Sequence, residues 1–417
     1  MWRFNLGAGS TQQGRESGIR DEWRRAESLL DSNGTYNWRR QAGQQWFLQA
    51  AKRRGVPYFP AFFNSPPVHL TKNHKAFADK RLCNIDSAQY NAMAVYAVDA
   101  LEGLHKTTGV SFDFVAPVNE PQWDWSDGGQ EGSPFLNREI SGLVKAFAAQ
   151  LKARRVSTKI IVPEAGHIKY LLEDSDKPGR GNQINDLFTP GANYIANLPQ
   201  VAKVAAAHSY FSTAPYDKGV ALREQVAERV SAIKGLAFWQ SEYCILGDNE
   251  GEINGSRRDT GITSALYLAR TVHTDLVAGN ATAWQWWLAI SPYDYKDGLI
   301  YIEKSKTGGW LQDSKMLWAF GNYSRFVRPG MQRVEATITG AGDKLLVSAW
   351  KDKKTKQTVA VIVNLEKSAA TIDAGTRVTT YTTSAGQRLA KAVVNGPVQI
   401  QPESIVTLLL DNSKIAR

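Results

Sequence analysis

The chain has 417 residues, of which 43% are hydrophobic and 22% charged, so it is long enough for a large buried core and lacks the bias of a disordered or fibrous polymer. Its formal net charge of +10 comes from basic residues scattered in ones and twos; the one run, Lys351 to Lys356, lies between two strand-like segments and reads as a solvated hairpin turn, so no nucleic-acid partner is expected. Two distant cysteines build no disulfide framework, six histidines show no ligand spacing, and no apolar stretch reaches 18 residues, so neither a metal or other cofactor nor a membrane span is expected.

Met1 leads straight into Trp2-Arg3-Phe4-Asn5-Leu6, with no charged segment and apolar stretch of the kind that marks a signal peptide. From there short apolar segments alternate with segments of helical period. Strands are expected at Trp2 to Gly7, Pro57 to Phe63, Ser111 to Val118, Lys159 to Pro163, Val204 to Phe211, Leu236 to Glu242 and Ala281 to Ala289. Helices are expected at 41–54, 87–105, 137–154, 217–234 and 259–278, with a shorter one within 181–199. Such alternation predicts right-handed βαβ units around a parallel sheet, and hence an α/β fold of the TIM type. Seven strands are visible where a closed (β/α)8 barrel has eight, so the first βα unit is expected to be missing, or the barrel open at that edge.

After Ala289 a Tyr-, Asp- and Gly-rich loop leads to a helical pattern at 315–326 and then to Arg328-Pro329-Gly330. Beyond it the helical period disappears. Short strands at 344–350, 357–365, 376–383 and 404–410, broken by Gly, Asp, Asn and Lys, predict a small β-sandwich. The expected division is a barrel domain over residues 1–326 and a sandwich over 327–417.

The chemistry is concentrated at strand ends. Phe112 to Trp125, FDFVAPVNEPQWDW, runs an apolar strand into Asn119, Glu120 and Pro121 and follows it with Trp123 and Trp125. An ionisable group at the tip of a buried strand is costly unless it is solvated, paired or used. A second strand, in Trp239-Gln240-Ser241-Glu242-Tyr243, also ends on glutamate. In a βα barrel the carboxyl ends of the strands carry the active site, so Glu120 and Glu242 are expected to face each other across its mouth. Two facing carboxylates suit glycoside hydrolysis, in which one is protonated to assist the leaving oxygen and the other stays ionised. Glu164, ending the strand in Val162-Pro163-Glu164, is a rival for direct chemistry. The thirteen tryptophans add to the case, because indole faces stack on sugar rings.

Several stretches in order resemble glycoside hydrolase family 30 and, within it, the endo-β-1,6-galactanase-like members. They are Arg3-Phe4-Asn5-Leu6-Gly7-Ala8-Gly9, Asn64-Ser65-Pro66-Pro67, Ala116-Pro117-Val118-Asn119-Glu120-Pro121-Gln122, Trp239-Gln240-Ser241-Glu242-Tyr243, Ala283-Trp284-Gln285-Trp286-Trp287 and Phe326-Val327-Arg328-Pro329-Gly330. The resemblance implies a retaining hydrolase of β-linked glycans with Glu120 as acid/base and Glu242 as nucleophile. It implies that Asn119 bonds the sugar's 2-hydroxyl, that Tyr210 supports the nucleophile, and that Asn64, His208, Trp123, Trp125, Trp284 and Trp287, with Tyr210, line the sugar site. Strand alternation puts Trp284 and Trp287 on opposite faces unless the strand bulges. The resemblance further implies a polysaccharide substrate, a monomer, and a secreted, periplasmic or cell-surface location. Family members carry another strand and helix ahead of the segment like Arg3 to Gly9, which is the unit expected to be absent here. Two alternatives stay open: the same chemistry on xylan, β-1,6-glucan or a glucosyl or fucosyl substrate, and a non-catalytic glycan-binding relative.

Overall fold

The computed structural model describes residues 1–247, 249–340 and 342–410. Seven strands, β1 (Phe4–Asn5), β2 (Pro60–Phe62), β3 (Phe114–Ala116), β4 (Lys159–Ala165), β5 (Val201–His208), β6 (Ala237–Glu242) and β7 (Ala283–Trp284), form one parallel sheet in that order. The helices are α1 (Ser10–Gln13), α2 (Ala42–Arg53), α3 (Tyr90–Thr108), α4 (Asn137–Ala153), α5 (Gln183–Phe188), α6 (Tyr216–Ser231), α7 (Ile262–Val277) and α8 (Lys315–Ser324). Helices α2 to α7 lie in turn between successive strands, with the short α1 also between β1 and β2, which is the TIM-type βα alternation expected from the sequence.

The strands are shorter than their apolar segments. β3 stops at Ala116 because Pro117 has no N–H with which to extend the ladder, so Glu120 lies four residues beyond the strand, in a loop. β7 stops at Trp284, so the alternation argument does not extend to Trp287. The helices follow their apolar faces: α4 buries Ile140, Leu143, Val144, Phe147 and Leu151, each contributing about 1.5–3 kcal/mol. α3 ends where Gly109 takes a left-handed φ of 71°, a conformation glycine adopts at little cost.

Past β7 lies a small sheet of β8 (Ile290–Ser291), β9 (Ile300–Ile302) and β10 (Leu311–Asp313). The C-terminal strands are β11 (Gln332–Val334), β12 (Leu345–Lys351), β13 (Thr358–Asn364), β14 (Ala370–Ile372), β15 (Val378–Thr383), β16 (Ala390–Val394), β17 (Val398–Ile400) and β18 (Ser404–Leu410). Six of them form an antiparallel sheet in the order β11-β12-β13-β18-β15-β16, and β14 pairs with β17. Val398 and Ile400 of the small pair pack on Ile362, Val378, Val406 and Leu408 of the large sheet, giving the two layers of a sandwich. Lys351 and Thr358 are partners in the β12–β13 pairing, so the basic run is a hairpin turn.

Contacts divide the chain into two compact units. One comprises Met1–Ser209, Glu224–Ser241 and Ala281–Gln285; the other comprises Tyr210–Arg223, Glu242–Asn280 and the chain from Trp286 onward. In the second unit Arg223 of α6 and Asp275 of α7 form a fully buried ion pair at 2.5 Å. Arg223 also donates to the carbonyls of Ser212 at 2.6 Å and Gly219 at 3.0 Å, tying down the loop that follows Tyr210. Replacing Arg223 with methionine would leave a buried carboxylate without its guanidinium. We expect a loss of about 3–5 kcal/mol of stability, read from the midpoint of urea unfolding; a change under about 1 kcal/mol would show that the pair contributes little.

Candidate active site

The first unit holds a buried polar cluster around Glu164. This residue lies near the end of β4, within a break in the β4–β5 register between Pro163 and Ala165, and has a left-handed φ of 54°. A bulge of this kind re-aims a side chain, and here it turns a carboxylate into a site that is 0% exposed. One oxygen of the carboxylate is well supplied with donors. Oε2 accepts from Ser241 Oγ at 2.6 Å and lies 3.1 Å from His208 Nε2 and 3.5 Å from Arg3 Nη2. Burial works to raise the Glu164 pKa, but the Arg3 charge and the His208 and Ser241 hydrogen bonds outweigh it and hold the group below its usual range.

Glu120 adjoins this cluster. Its backbone N–H donates to the Glu164 carbonyl at 2.8 Å, and its own φ is 44°, an uncommon conformation for a residue with a Cβ. Its Oε1 lies 2.9 Å from His208 Nδ1. His208 ends β5, is 0% exposed and places one ring nitrogen on each glutamate. Both ring nitrogens of His208 thus stand against carboxylates. Asn119 is buried, and its Oδ1 accepts from Arg3 Nη2 at 3.2 Å, which fixes the rotamer of the amide. Arg3, directly ahead of β1, stacks on the Phe62 ring at 3.7 Å and thereby links Asn119 to Glu164.

The two tryptophans after Glu120 differ in setting, and both are half-buried. Trp125 donates its indole N–H to the Glu120 carbonyl at 3.1 Å and packs over Gly132, where a Cβ would overlap its ring. Trp123 stands edge-on to Tyr170 and close above Gly166, where a Cβ would overlap the indole nitrogen and approach the Glu120 Cβ. Gly166 is therefore required for Trp123 to stand next to Glu120. Asn64 is half-buried, two residues past the end of β2.

Glu242, the last residue of β6, belongs to the second unit. Within that unit Tyr210 donates its hydroxyl to Glu242 Oε1 at 3.1 Å. The Tyr210 ring packs on Tyr243 at 5.8 Å, and Tyr243 bonds Glu252 at 3.0 Å, so the donor is braced from behind. Trp284 and Trp287 are half-buried; the Trp287 N–H bonds the Tyr243 carbonyl at 2.9 Å. Trp286, between them, donates its indole N–H to the Asp297 carbonyl at 2.8 Å and packs edge-on to Tyr243.

Arg3, Ser241 and the hydrogen-bonding role of Glu164 are additions that the sequence did not supply. Each is a polar residue at or beside a strand terminus, next to a motif that is legible, and that adjacency was the one available signal. Among the described residues no helix is long and apolar enough to cross a membrane.

Comparison with known proteins agrees with this architecture. Residues 1–301 match O-glycosyl hydrolase family 30. An endo-beta-1,6-galactanase from Hypocrea rufa is 23% identical over 346 residues, covering 81% of this chain and 64% of that protein. A glucuronoxylanase from Bacillus subtilis is 25% identical over 330 residues, covering 76% of this chain and 62% of that one. The matches thus span less than two thirds of the length of these relatives. Among solved structures, a conserved exported protein from Bacteroides fragilis superposes with a TM-score of 0.90 at 29% identity, covering 98% of this chain and 87% of that one. With the match running through every strand of the parallel sheet, the chain belongs to O-glycosyl hydrolase family 30.

Proposed function

We propose that this protein is a retaining glycoside hydrolase acting on β-linked galactan, with an endo-β-1,6-galactanase activity on arabinogalactan-type side chains. The observation that carries the reading is the contrast between its two glutamates. Glu242 receives a hydroxyl donor from Tyr210, whereas Glu120 faces a ring nitrogen of His208. A pair of carboxyls in such different environments suits a division into nucleophile and acid/base.

In the first step Glu120 gives its proton to the glycosidic oxygen as that C–O bond breaks, and the Glu242 carboxylate forms a covalent ester with the anomeric carbon. In the second step water attacks that carbon and passes a proton to Glu120, and Glu242 leaves as carboxylate. Asn119, with its oxygen held by Arg3, offers its NH2 to the 2-hydroxyl, a bond that tightens in the transition state. Trp123 stacks the leaving-group sugar, while Trp284 and Trp287 form the platform for the sugar being transferred. Double displacement of this kind requires carboxyls roughly 5 Å apart.

The galactanase relative supports β-1,6-galactan as substrate, and the glucuronoxylanase relative makes xylan the natural comparison. A polymeric substrate of this kind is met outside the cytoplasm, so we place the mature protein there. The test is incubation with β-1,6-galactan and, separately, glucuronoxylan, with oligosaccharides resolved by chromatography and the anomer of the first product read by NMR. We expect galacto-oligosaccharides released as the β-anomer. Xylo-oligosaccharides alone would move the substrate to xylan, and an α-anomer would end the retaining mechanism.

A further inference from the structure

Glu164 and His208 do more than fill the floor beside Glu120. We propose that Glu164 fixes His208 in the tautomer that carries its proton on Nε2, so that His208 Nδ1 and Glu120 Oε1 share one exchangeable proton and Glu120 is kept in its acid form between turnovers. This inference rests on the acid/base role proposed above for Glu120.

The argument is one of donors and acceptors. An ionised carboxylate can only accept, and Glu164 Oε2 already takes Ser241 Oγ–H at 2.6 Å, with Arg3 Nη2 at 3.5 Å. His208 Nε2, 3.1 Å from the same oxygen, must therefore be the donor. Neutral imidazole has one N–H, so Nδ1 is left with its lone pair facing Glu120 Oε1 at 2.9 Å. A lone pair opposite a carboxylate oxygen is repulsive, whereas opposite a carboxylic acid it is a hydrogen bond. Neutral His208 in this tautomer thus favours protonated Glu120 and makes the ionised form, present in the covalent intermediate, a stronger base toward water.

Among the described residues of its unit, Glu120 and Glu164 stand at the two ring nitrogens of His208, with Arg3 beyond Glu164. The Arg3 charge and the Ser241 and His208 hydrogen bonds keep Glu164 ionised well below neutrality, so the tautomer does not change across the working range. The two glutamates are in turn joined through the main chain, by the bond from the Glu120 N–H to the Glu164 carbonyl, so their spacing around the imidazole is fixed. Glu164 and His208 are positioning residues, acting on the substrate through Glu120.

The experiment is nitrogen NMR of the ring-labelled full chain from pH 5 to 8, with the His208 signals identified by their loss in His208→Gln. We expect Nε2 to carry its proton throughout the wild type. Glu164→Leu should reverse this, because it removes the oxygen that accepts Nε2–H and lets the proton move to Nδ1, where the Glu120 carboxylate accepts it. That variant should also shift the alkaline limb of kcat/KM on β-1,6-galactan down by about one pH unit, since Nδ1–H then stabilises the Glu120 carboxylate. Ser241→Ala, which leaves the Glu164 charge in place, should keep the wild-type tautomer. A proton on Nδ1 in the neutral wild type overturns the proposal, as does an alkaline limb unmoved in Glu164→Leu. The wild-type tautomer is read without turnover and without the variant. A protein that cleaves no glycan therefore refutes the hydrolase reading, and a wrong tautomer refutes this one.

Discussion

Replacing Glu242 with glutamine is expected to lower kcat on the polysaccharide on the order of 10^4-fold or more, because the proposed mechanism then loses its nucleophile. The variant should fold normally. Glutamine keeps a carbonyl oxygen in the place that now accepts from the Tyr210 hydroxyl at 3.1 Å, and residue volume is nearly unchanged. Thermal unfolding and glycan affinity should thus stay close to wild type while turnover collapses. A 2-fluoro-substituted activated glycoside should label the wild type at the peptide containing Glu242, detected by mass spectrometry. Turnover within a few-fold of wild type in Glu242→Gln would remove Glu242 from the chemistry. A wild type with affinity but no turnover would instead identify a glycan-binding relative, since binding alone has no use for a nucleophile.

Glu120→Ala should behave differently, and the difference identifies its role. Hydrolysis of the polysaccharide, whose departing sugar needs a proton, should fall by about 10^2–10^4-fold. An activated aryl glycoside leaves without that help, so its first step should be nearly unaffected and its covalent intermediate should accumulate. Azide, small enough for the space left by the carboxyl, should restore turnover of the aryl substrate and yield the β-glycosyl azide. An equal loss on both substrates with no azide effect would show that Glu120 supports structure and not proton transfer. The loss of stability should be modest, because the interactions fixing this loop are largely from the main chain: Glu120 N–H to Glu164 and Trp125 indole to the Glu120 carbonyl.

These two variants and the tautomer measurement address different groups: Tyr210, packed on Tyr243, donates to Glu242, and His208 stands between Glu120 and the buried Glu164. Substituting Arg223 addresses the scaffold, through the loop that carries the residues after Tyr210.

Much of the fold was legible because its signals are local. Strand and helix periods differ, so seven apolar segments and the helices between them could be assigned from neighbours in sequence, and a βαβ chain admits few topologies. The loss of helical period after Pro329 likewise marked the antiparallel region, although β14, β16 and β17 are short and carry exposed or polar residues, so their pattern was too weak to read. Glu120 and Glu242 could be singled out for a similar reason: a carboxylate beside a continuous apolar run conflicts with burial, and that conflict is visible one residue at a time.

What the sequence determined by itself was therefore the order of the elements and the two carboxylates that close apolar runs. What tertiary structure alone decided was the partnership around them. Arg3 reaches Asn119 across 116 residues, Glu164 meets His208 across 44, and Ser241 meets Glu164 across 77. No local period encodes such contacts, because they arise when parallel strands distant in sequence are placed side by side. The side-chain direction of Glu164 depends further on a register break and a left-handed φ, which burial of the surrounding strand imposes and residue propensity does not. The charge on Glu164 is held against its burial by Arg3, His208 and Ser241, and the orientation of the His208 proton follows from that charge.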